Sequence, residues 1–212
     1  MNEPNRYAFY FDRYQRFRKA SEMTAQHFPH CETLLDVGSH DRTFSEFITR
    51  VNIIHYDGLV YRNGHPLPYS DGAFDVVTAL DVLEHVPLSE RSFFISELNR
   101  VSKSGFLMCF PVIQAEDAEK FVLEMTGSVW LHEHRKEGLP DPAWVEGVLS
   151  DLGVSFIRAP SASLPSWTAM MLLMHGTQKD VRLKISAYFN SRYYEIENRE
   201  PAYRYMYVCK QM

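Results

Sequence analysis

The chain has 212 residues and a formal net charge of −5, with 22 Lys and Arg against 27 Asp and Glu. Hydrophobic residues make up 45% of it, enough for one sizeable core, so the length requires no second domain. A net negative charge repels phosphate backbones, which argues against a nucleic-acid substrate. The three cysteines lack CxxC spacing, and the longest apolar run is far shorter than the roughly 20 residues of a membrane span. The sequence therefore predicts a cytoplasmic, single-domain protein with no membrane partner.

The first segment is rich in aromatic residues. Their spacing over residues 6–26 predicts an amphipathic helix laid on a larger body. Charged residues on such helices usually face solvent. We therefore predict a solvated face, not a binding patch, for four arginines: Arg6, Arg13, Arg16 and Arg18.

Strand and helix patterns alternate over the next eighty residues. Apolar runs at 34–38, 51–56 and 74–80 predict strands, and a further strand follows Gly105. Residues 44–48 have helical spacing, and 89–101 predict a helix capped by Ser89 with Phe93 in its buried stripe. This alternation is typical of right-handed crossovers and a parallel sheet, which binds ligands at the carboxyl ends of its strands.

The last third predicts both helices and strands. A helix over 141–152 has Asp141 as its cap and Pro142 at its first position, and a strand follows at 154–158. Residues 166–190 are predicted to be helical, and 203–209 form the last predicted strand.

Two segments carry the functional signal. The strand that ends in LLDV is followed directly by Gly38, and such a strand-to-helix turn can direct backbone N–H groups at a ligand. Residues 67–87, LPYSDGAFDVVTALDVLEHVP, combine a tight turn, a buried strand and a polar cluster at Asp81, Glu84 and His85.

These phrases resemble the class I S-adenosylmethionine-dependent methyltransferases, in particular the type 11-like branch. The resemblance continues through ELNRVSKSGFLMCFP, WLHEHRKEGLP and PAYRYMYVCK, and so covers most of residues 31–212. It implies an α/β, Rossmann-like, seven-stranded and mostly parallel sheet with an antiparallel last strand and helices on both faces. It also implies S-adenosylmethionine as cofactor. The single domain 1–212 then divides into a helical cap (1–30), a cofactor-binding half (31–111), a cap segment (112–140) and a C-terminal part (141–212).

The family's glycine-rich loop corresponds to Asp36, Gly38 and Ser39 at its start. His40 and Arg42 then stand where the family has glycines, and a Cβ there costs roughly 1 to 3 kcal/mol if φ is positive. Two hypotheses follow. Either Arg42 binds the cofactor's carboxylate and His40 turns aside, or the loop has lost the cofactor.

The resemblance places further cofactor contacts along the sheet edge. Asp57 corresponds to the acid that bonds the ribose hydroxyls, although an Asp-Gly turn explains it equally. Asn63 and Gly64 align with the loop that meets the adenine. Asp81 and Val82 border the cofactor from the other side.

Four residues are candidates for the acceptor side of the cleft: His85, Trp130, His132 and His134. His85 on a helix start is more often structural than a base near neutral pH. Two histidines without a cysteine or a second acidic cluster make a poor zinc signature, so no metal is predicted.

The leading functional hypothesis is methyl transfer from S-adenosylmethionine to an unidentified small molecule. This displacement needs positioning more than a nucleophile, so no catalytic residue is named. The alternative is a methyltransferase-like binding or scaffold protein that has lost its cofactor. A dehydrogenase ranks third, because the GxGxxG pattern is missing. The oligomeric state stays open.

Overall fold

A six-stranded sheet forms the centre of the molecule in the computed structural model, which describes residues 7–39, 41–57 and 65–211. Its order is β2-β1-β3-β4-β6-β5; β1 to β4 run parallel, and β6 is antiparallel to both of its neighbours. The mostly parallel sheet and its antiparallel last strand are therefore confirmed. The strands are β1 (Thr33–Val37), β2 (Asn52–Tyr56), β3 (Phe74–Leu80), β4 (Ser102–Pro111), β5 (Ser155–Ser163) and β6 (Ala202–Lys210).

The predicted strand number of seven is wrong for the described residues, which form six. The edge strand on one side is β2, and residues 65–73, which lead to β3, add no strand beside it.

Helices cover both faces of the sheet, as predicted. Neighbouring strand residues point to opposite faces, so Leu34 joins the core under α1 while Leu35 joins the core under α2 and α5. The helices are α1 (Phe11–His27), α2 (Arg91–Val101), α3 (Glu116–Thr126), α4 (Val129–Glu137), α5 (Pro142–Asp151), α6 (Leu164–His175) and α7 (Lys179–Glu197). No helix of the described segments has both the length and the apolar composition needed to cross a membrane.

Local capping chemistry explains where the helix predictions hold and where they fail. The side chain of Asp141 accepts a hydrogen bond from the Ala143 amide at 3.0 Å, and α5 begins at Pro142 as predicted. The cap predicted at Ser89 is wrong, because residues 88–90 form a short 3-10 turn and α2 begins at Arg91. Phe93 is exposed and does not belong to the buried stripe.

The helix predicted after β1 is also wrong, because only a 3-10 turn, Thr43–Glu46, forms there. Asp41 accepts hydrogen bonds from the Thr43 amide at 3.1 Å and from the Thr43 hydroxyl at 2.6 Å. This local turn bonding competes with helical bonding, and the turn still buries Phe44 completely.

Candidate cofactor and acceptor site

A cavity of about 350 Å³ opens at the carboxyl ends of β1 and β3 and is covered by α1 and α4. Its position agrees with the rule that open α/β sheets bind ligands at this edge. It is lined by Asp12, Arg13, Arg16, Phe17, Asp36, Val37, Gly38, Ser39, Asp41, Leu80, Asp81, Glu84, His85, Trp130, His134, Tyr203 and Arg204.

The turn after β1 brings backbone close to this cavity. Gly38 has φ +80°, and its amide donates to the carbonyl of Tyr56 at 2.8 Å. A Cβ on Gly38 would lie 2.6 Å from Cγ2 of Val82, so only glycine allows the two turns that follow β1 and β3 to approach this closely.

A polar network fixes the end of β1. The buried carboxylate of Asp36 accepts a hydrogen bond from the Thr78 hydroxyl at 2.8 Å, and its other oxygen lies 3.3 Å from Nδ1 of His55. The hydroxyls of Ser39 and Ser45 contact the two nitrogens of His55, at 2.9 and 2.7 Å. Burial raises the pKa of Asp36 above its ordinary value, although Thr78 and His55 oppose the shift.

The loop that follows contains the unusual residues of the sequence. His40 lies outside the described residues. Arg42 has φ +57°, the left-handed conformation in which a residue with a Cβ is strained. Its side chain is exposed and does not line the cavity. Its neighbour Asp41 does line the cavity and pairs with Arg13 of α1.

A buried ion cluster stands opposite the Gly38 turn. Asp81 pairs with Arg16 of α1 and, at 3.1 Å, with Arg204 of β6, which also pairs with Asp12. Burial alone would raise the pKa of Asp81, but the two guanidiniums outweigh it and hold the pKa below its ordinary value. The prediction of a solvated arginine face is therefore wrong for Arg16; Arg6 lies outside the described residues.

Glu84 is the most deeply buried acid in the cavity wall, with no relative exposure. Both of its carboxyl oxygens are buried and accept no hydrogen bond from any other described residue. Burial, together with the nearby charge of Asp81, raises the pKa of Glu84 to about 8.

An aromatic and histidine cluster on α4 and the turn after β3 forms the end of the cavity where the sequence predicts the acceptor. The ring of His134 lies 4.9 Å from that of His85 and 5.1 Å from that of Trp130, centroid to centroid. Nδ1 of His134 is 3.0 Å from the Glu119 carboxylate, which also accepts a hydrogen bond from the Tyr203 hydroxyl at 2.7 Å. Burial lowers the pKa of His134, but Glu119 and Glu84 outweigh it and raise the pKa.

A comparison with known protein families gives a match for the part of the chain that carries the turns after β1 and β3. The family model for a methyltransferase domain matches residues 32–110, which include β1 to β4 and both turns described above. Residues 32–110 therefore match a methyltransferase domain. A comparison with curated proteins gives no match.

Solved structures resemble this chain over most of its length. The plantazolicin methyltransferase in complex with SAH is 9% identical, with a TM-score of 0.55, and the match covers 95% of this chain and 85% of that one. A protein described as a methyltransferase from an antibiotic biosynthesis pathway of Anabaena variabilis is 10% identical, with a TM-score of 0.51 and coverage of 91% and 99%. At these identities the likeness establishes the fold alone.

The remaining residues that the sequence predicts for the site lie as follows. Asp57 directly follows β2, beside the Gly38 turn, and is exposed. Asn63 and Gly64 lie outside the described residues. His132 is exposed on α4 and is not part of the cavity wall, whereas Trp130 and His134 of the same helix are.

Sequence reasoning missed the charged residues that enter the cavity from distant segments. Arg16 looks like an ordinary surface residue in a helix, and its partner Asp81 is 65 residues away. Arg204 does carry a signal, since a charged residue inside the otherwise apolar and aromatic strand 202–209 needs a buried partner.

Proposed function

We propose that the protein transfers the methyl group of S-adenosylmethionine to a small-molecule acceptor held beneath α1 and α4. The match of residues 32–110 to a methyltransferase domain supports the reaction. The class of acceptor is our inference.

The observation that carries the proposal is that one cavity joins two different surfaces. One end is formed by the turn at Gly38 and Ser39 with Asp36 below it, and the other by His85, Trp130 and His134. Methyl transfer requires donor and acceptor to meet in line, and the protein contributes by holding them there. A volume of about 350 Å³ is in the range of small-molecule sites.

The described residues suit the cofactor. The Gly38 turn allows the close backbone approach that the methionine half requires, and Asp57 stands where the resemblance puts the ribose hydroxyls. The positive charge that suits the cofactor's carboxylate comes from Arg13 and Arg16 of α1, which line the cavity, and not from Arg42. When bound, S-adenosylmethionine would supply the reactive methyl group.

Calorimetric titration with S-adenosylmethionine and S-adenosylhomocysteine tests the cofactor. We expect saturable binding to the parent, at least tenfold weaker binding to Gly38→Ala and weaker binding to Asp57→Ala. Gly147→Ala is the matched control, because a Cβ at this α5 glycine meets no atom within 4 Å. No heat from folded, ligand-free parent protein would support the non-catalytic alternative.

The acceptor class needs a separate experiment. The protein is incubated with S-adenosylmethionine carrying a tritiated methyl group, together with a lysate divided into a low-molecular-weight filtrate, a protein fraction and a nucleic-acid fraction. We expect the label in compounds of the filtrate. Label that appears only in protein or nucleic acid would overturn the small-molecule proposal while leaving methyl transfer intact.

A further inference from the structure

We propose that Glu84, His85 and His134 form a binding site for a divalent transition-metal cation at the acceptor end of the cavity. Each residue offers one donor atom, and the three atoms lie within 4.8 Å of one another. The residues come from two places in the chain. The turn after β3 carries Glu84 and His85, and α4 packs against it with His134.

Glu84 is the residue that most needs a partner. Its carboxyl group is fully buried, and neither oxygen accepts a hydrogen bond from another described residue. Nε2 of His134 lies 3.9 Å away, which is too long for a hydrogen bond. Because a buried carboxyl group without hydrogen-bond partners costs free energy, its position facing two imidazoles indicates a ligand between them, on whose binding Glu84 would lose its proton.

His134 is already oriented as a metal ligand. Its Nδ1 bonds to Glu119 at 3.0 Å, and the Tyr203 hydroxyl donates to the same carboxylate at 2.7 Å. Histidines that bind metals through one nitrogen usually donate the other N–H to a carboxylate, which fixes the ring and its tautomer. With Nδ1 engaged by Glu119, Nε2 of His134 faces Glu84.

The distances are close to those of a metal site. Donor atoms that each lie about 2.1 Å from a tetrahedral ion are about 3.4 Å apart, so a separation of up to 4.8 Å must contract by as much as roughly 1.4 Å. His85 is the residue best able to move, because it is partly exposed at the cavity wall, where Nδ1 lies 3.4 Å from a carboxyl oxygen of Glu133. Rotation of the His85 ring would bring its donor nitrogen closer to those of Glu84 and His134.

The donor set selects the class of metal. Two imidazoles and one carboxylate suit zinc, manganese, iron or cobalt, whereas magnesium and calcium prefer oxygen ligands alone. Three protein ligands leave positions open, and all three residues line the cavity. Water or an oxygen atom of a bound molecule could therefore complete the coordination and lose a proton more readily there.

Metal binding is measured on the chelator-treated full chain, with no cofactor present. Co²⁺ is titrated while the visible spectrum is recorded, Zn²⁺ competition gives the affinity, and Mg²⁺ is titrated in parallel. We expect one equivalent of Co²⁺, displaced by Zn²⁺ but not by Mg²⁺. Binding should weaken at least tenfold in Glu84→Gln and in His134→Ala.

The matched control is His132→Ala, which removes an exposed imidazole from the same helix and should bind as the parent does. His85→Ala, at a partly exposed residue, gives a third variant in case the buried substitutions impair folding; circular dichroism checks each. The proposal is overturned if the parent binds no stoichiometric Co²⁺, or if folded Glu84, His85 and His134 variants bind it as tightly as His132→Ala. Because no cofactor is added, the result is independent of the proposed methyl transfer.

Discussion

A single carboxylate, that of Asp75, fixes the entry to the first strand of the sheet. It accepts hydrogen bonds from the amides of Glu32 and Thr33 at 3.0 and 2.9 Å, and from the Thr33 hydroxyl at 3.1 Å. The two backbone hydrogen bonds favour the ionised form and lower the pKa of Asp75 below its ordinary value. A group whose pKa falls on folding stabilises the folded state only while it is ionised.

We expect Asp75→Asn to lower the free energy of unfolding by about 1 kcal/mol near pH 7. Hydrogen bonds to a charged group usually contribute more, but solvent reaches this carboxylate and weakens them. The difference should be constant above the unfolded pKa, about pH 4, and shrink as the pH falls through the lower folded pKa. Urea denaturation of both proteins between pH 3 and 8 measures it.

Asp71→Asn serves as the comparison for that series. Asp71 is largely exposed and makes an ion pair with Arg100 at 2.8 Å, so its loss should change stability by well under 1 kcal/mol. If Asp75→Asn lowered the free energy of unfolding as much at pH 3 as at pH 7, the result would contradict the role of the ionised carboxylate.

At the residue scale, the sequence identifies positions that face the cavity but not their partners. Asp36, Gly38 and Asp81 each follow or end a strand, and such residues meet at one edge of a parallel sheet. The ion pairs of Asp81 depend on α1 and β6, and nothing local in the sequence specifies them. For Arg42, the family position suggests a cofactor contact, whereas its side chain does not line the cavity; that contact stays a prediction.

At the scale of elements, α1 is held over the cavity by charge as well as by apolar packing. Phe17 and Ala20 join the core beneath it, while Arg16 pairs with Asp81 and is almost buried. Removal of one member of a buried ion pair leaves its partner uncompensated.

We expect Arg16→Met to lower the free energy of unfolding by about 2 to 3 kcal/mol, since Arg204 still compensates part of the Asp81 charge. The control is Arg18→Met, where a partly exposed arginine pairs with Glu22 and Glu195 on the surface; it should cost less than about 1 kcal/mol. Urea denaturation measures both. Equal losses in the two variants would show that the helix is held by packing alone.

The elements themselves were predicted best where the signal is local. The cap and proline at the start of α5 and the apolar run of β3 require no distant information. The segment after β1 was mistaken for a helix because Phe44, Phe47 and Ile48 have helical spacing. The turn made by Asp41 stops the helix there, and the aromatic rings pack against Phe17 instead.

For the whole molecule, the pairing of β4 with β6 joins the two parts of the sheet. Gly105 of β4 has φ +144°, and a Cβ there would lie 2.1 Å from the carbonyl oxygen of Cys209. Only glycine allows the two backbones to approach this closely.

We expect Gly105→Ala to destabilise the fold by about 3 kcal/mol or more, because backbone must move to relieve the contact. Gly176→Ala, at the end of α6 where the nearest atom is 4.0 Å from the added Cβ, should change stability by less than about 0.5 kcal/mol. Thermal and urea unfolding measure the free energy of unfolding of both variants. An unchanged Gly105→Ala protein would mean that β6 can shift without loss.

The position of β6 has a consequence for biosynthesis. β4 and β5 leave the ribosome first; β4 can pair with β3, but the strand that lies between β4 and β5 is missing until residues 202–210 follow. During translation the free edge of β4 and the unpaired β5 are therefore open, and unpaired strand edges are where aggregation begins. Arg204 also arrives with β6, so Asp81 gains its second guanidinium only when the sheet closes. The cavity wall is thus completed only after β6 has been translated.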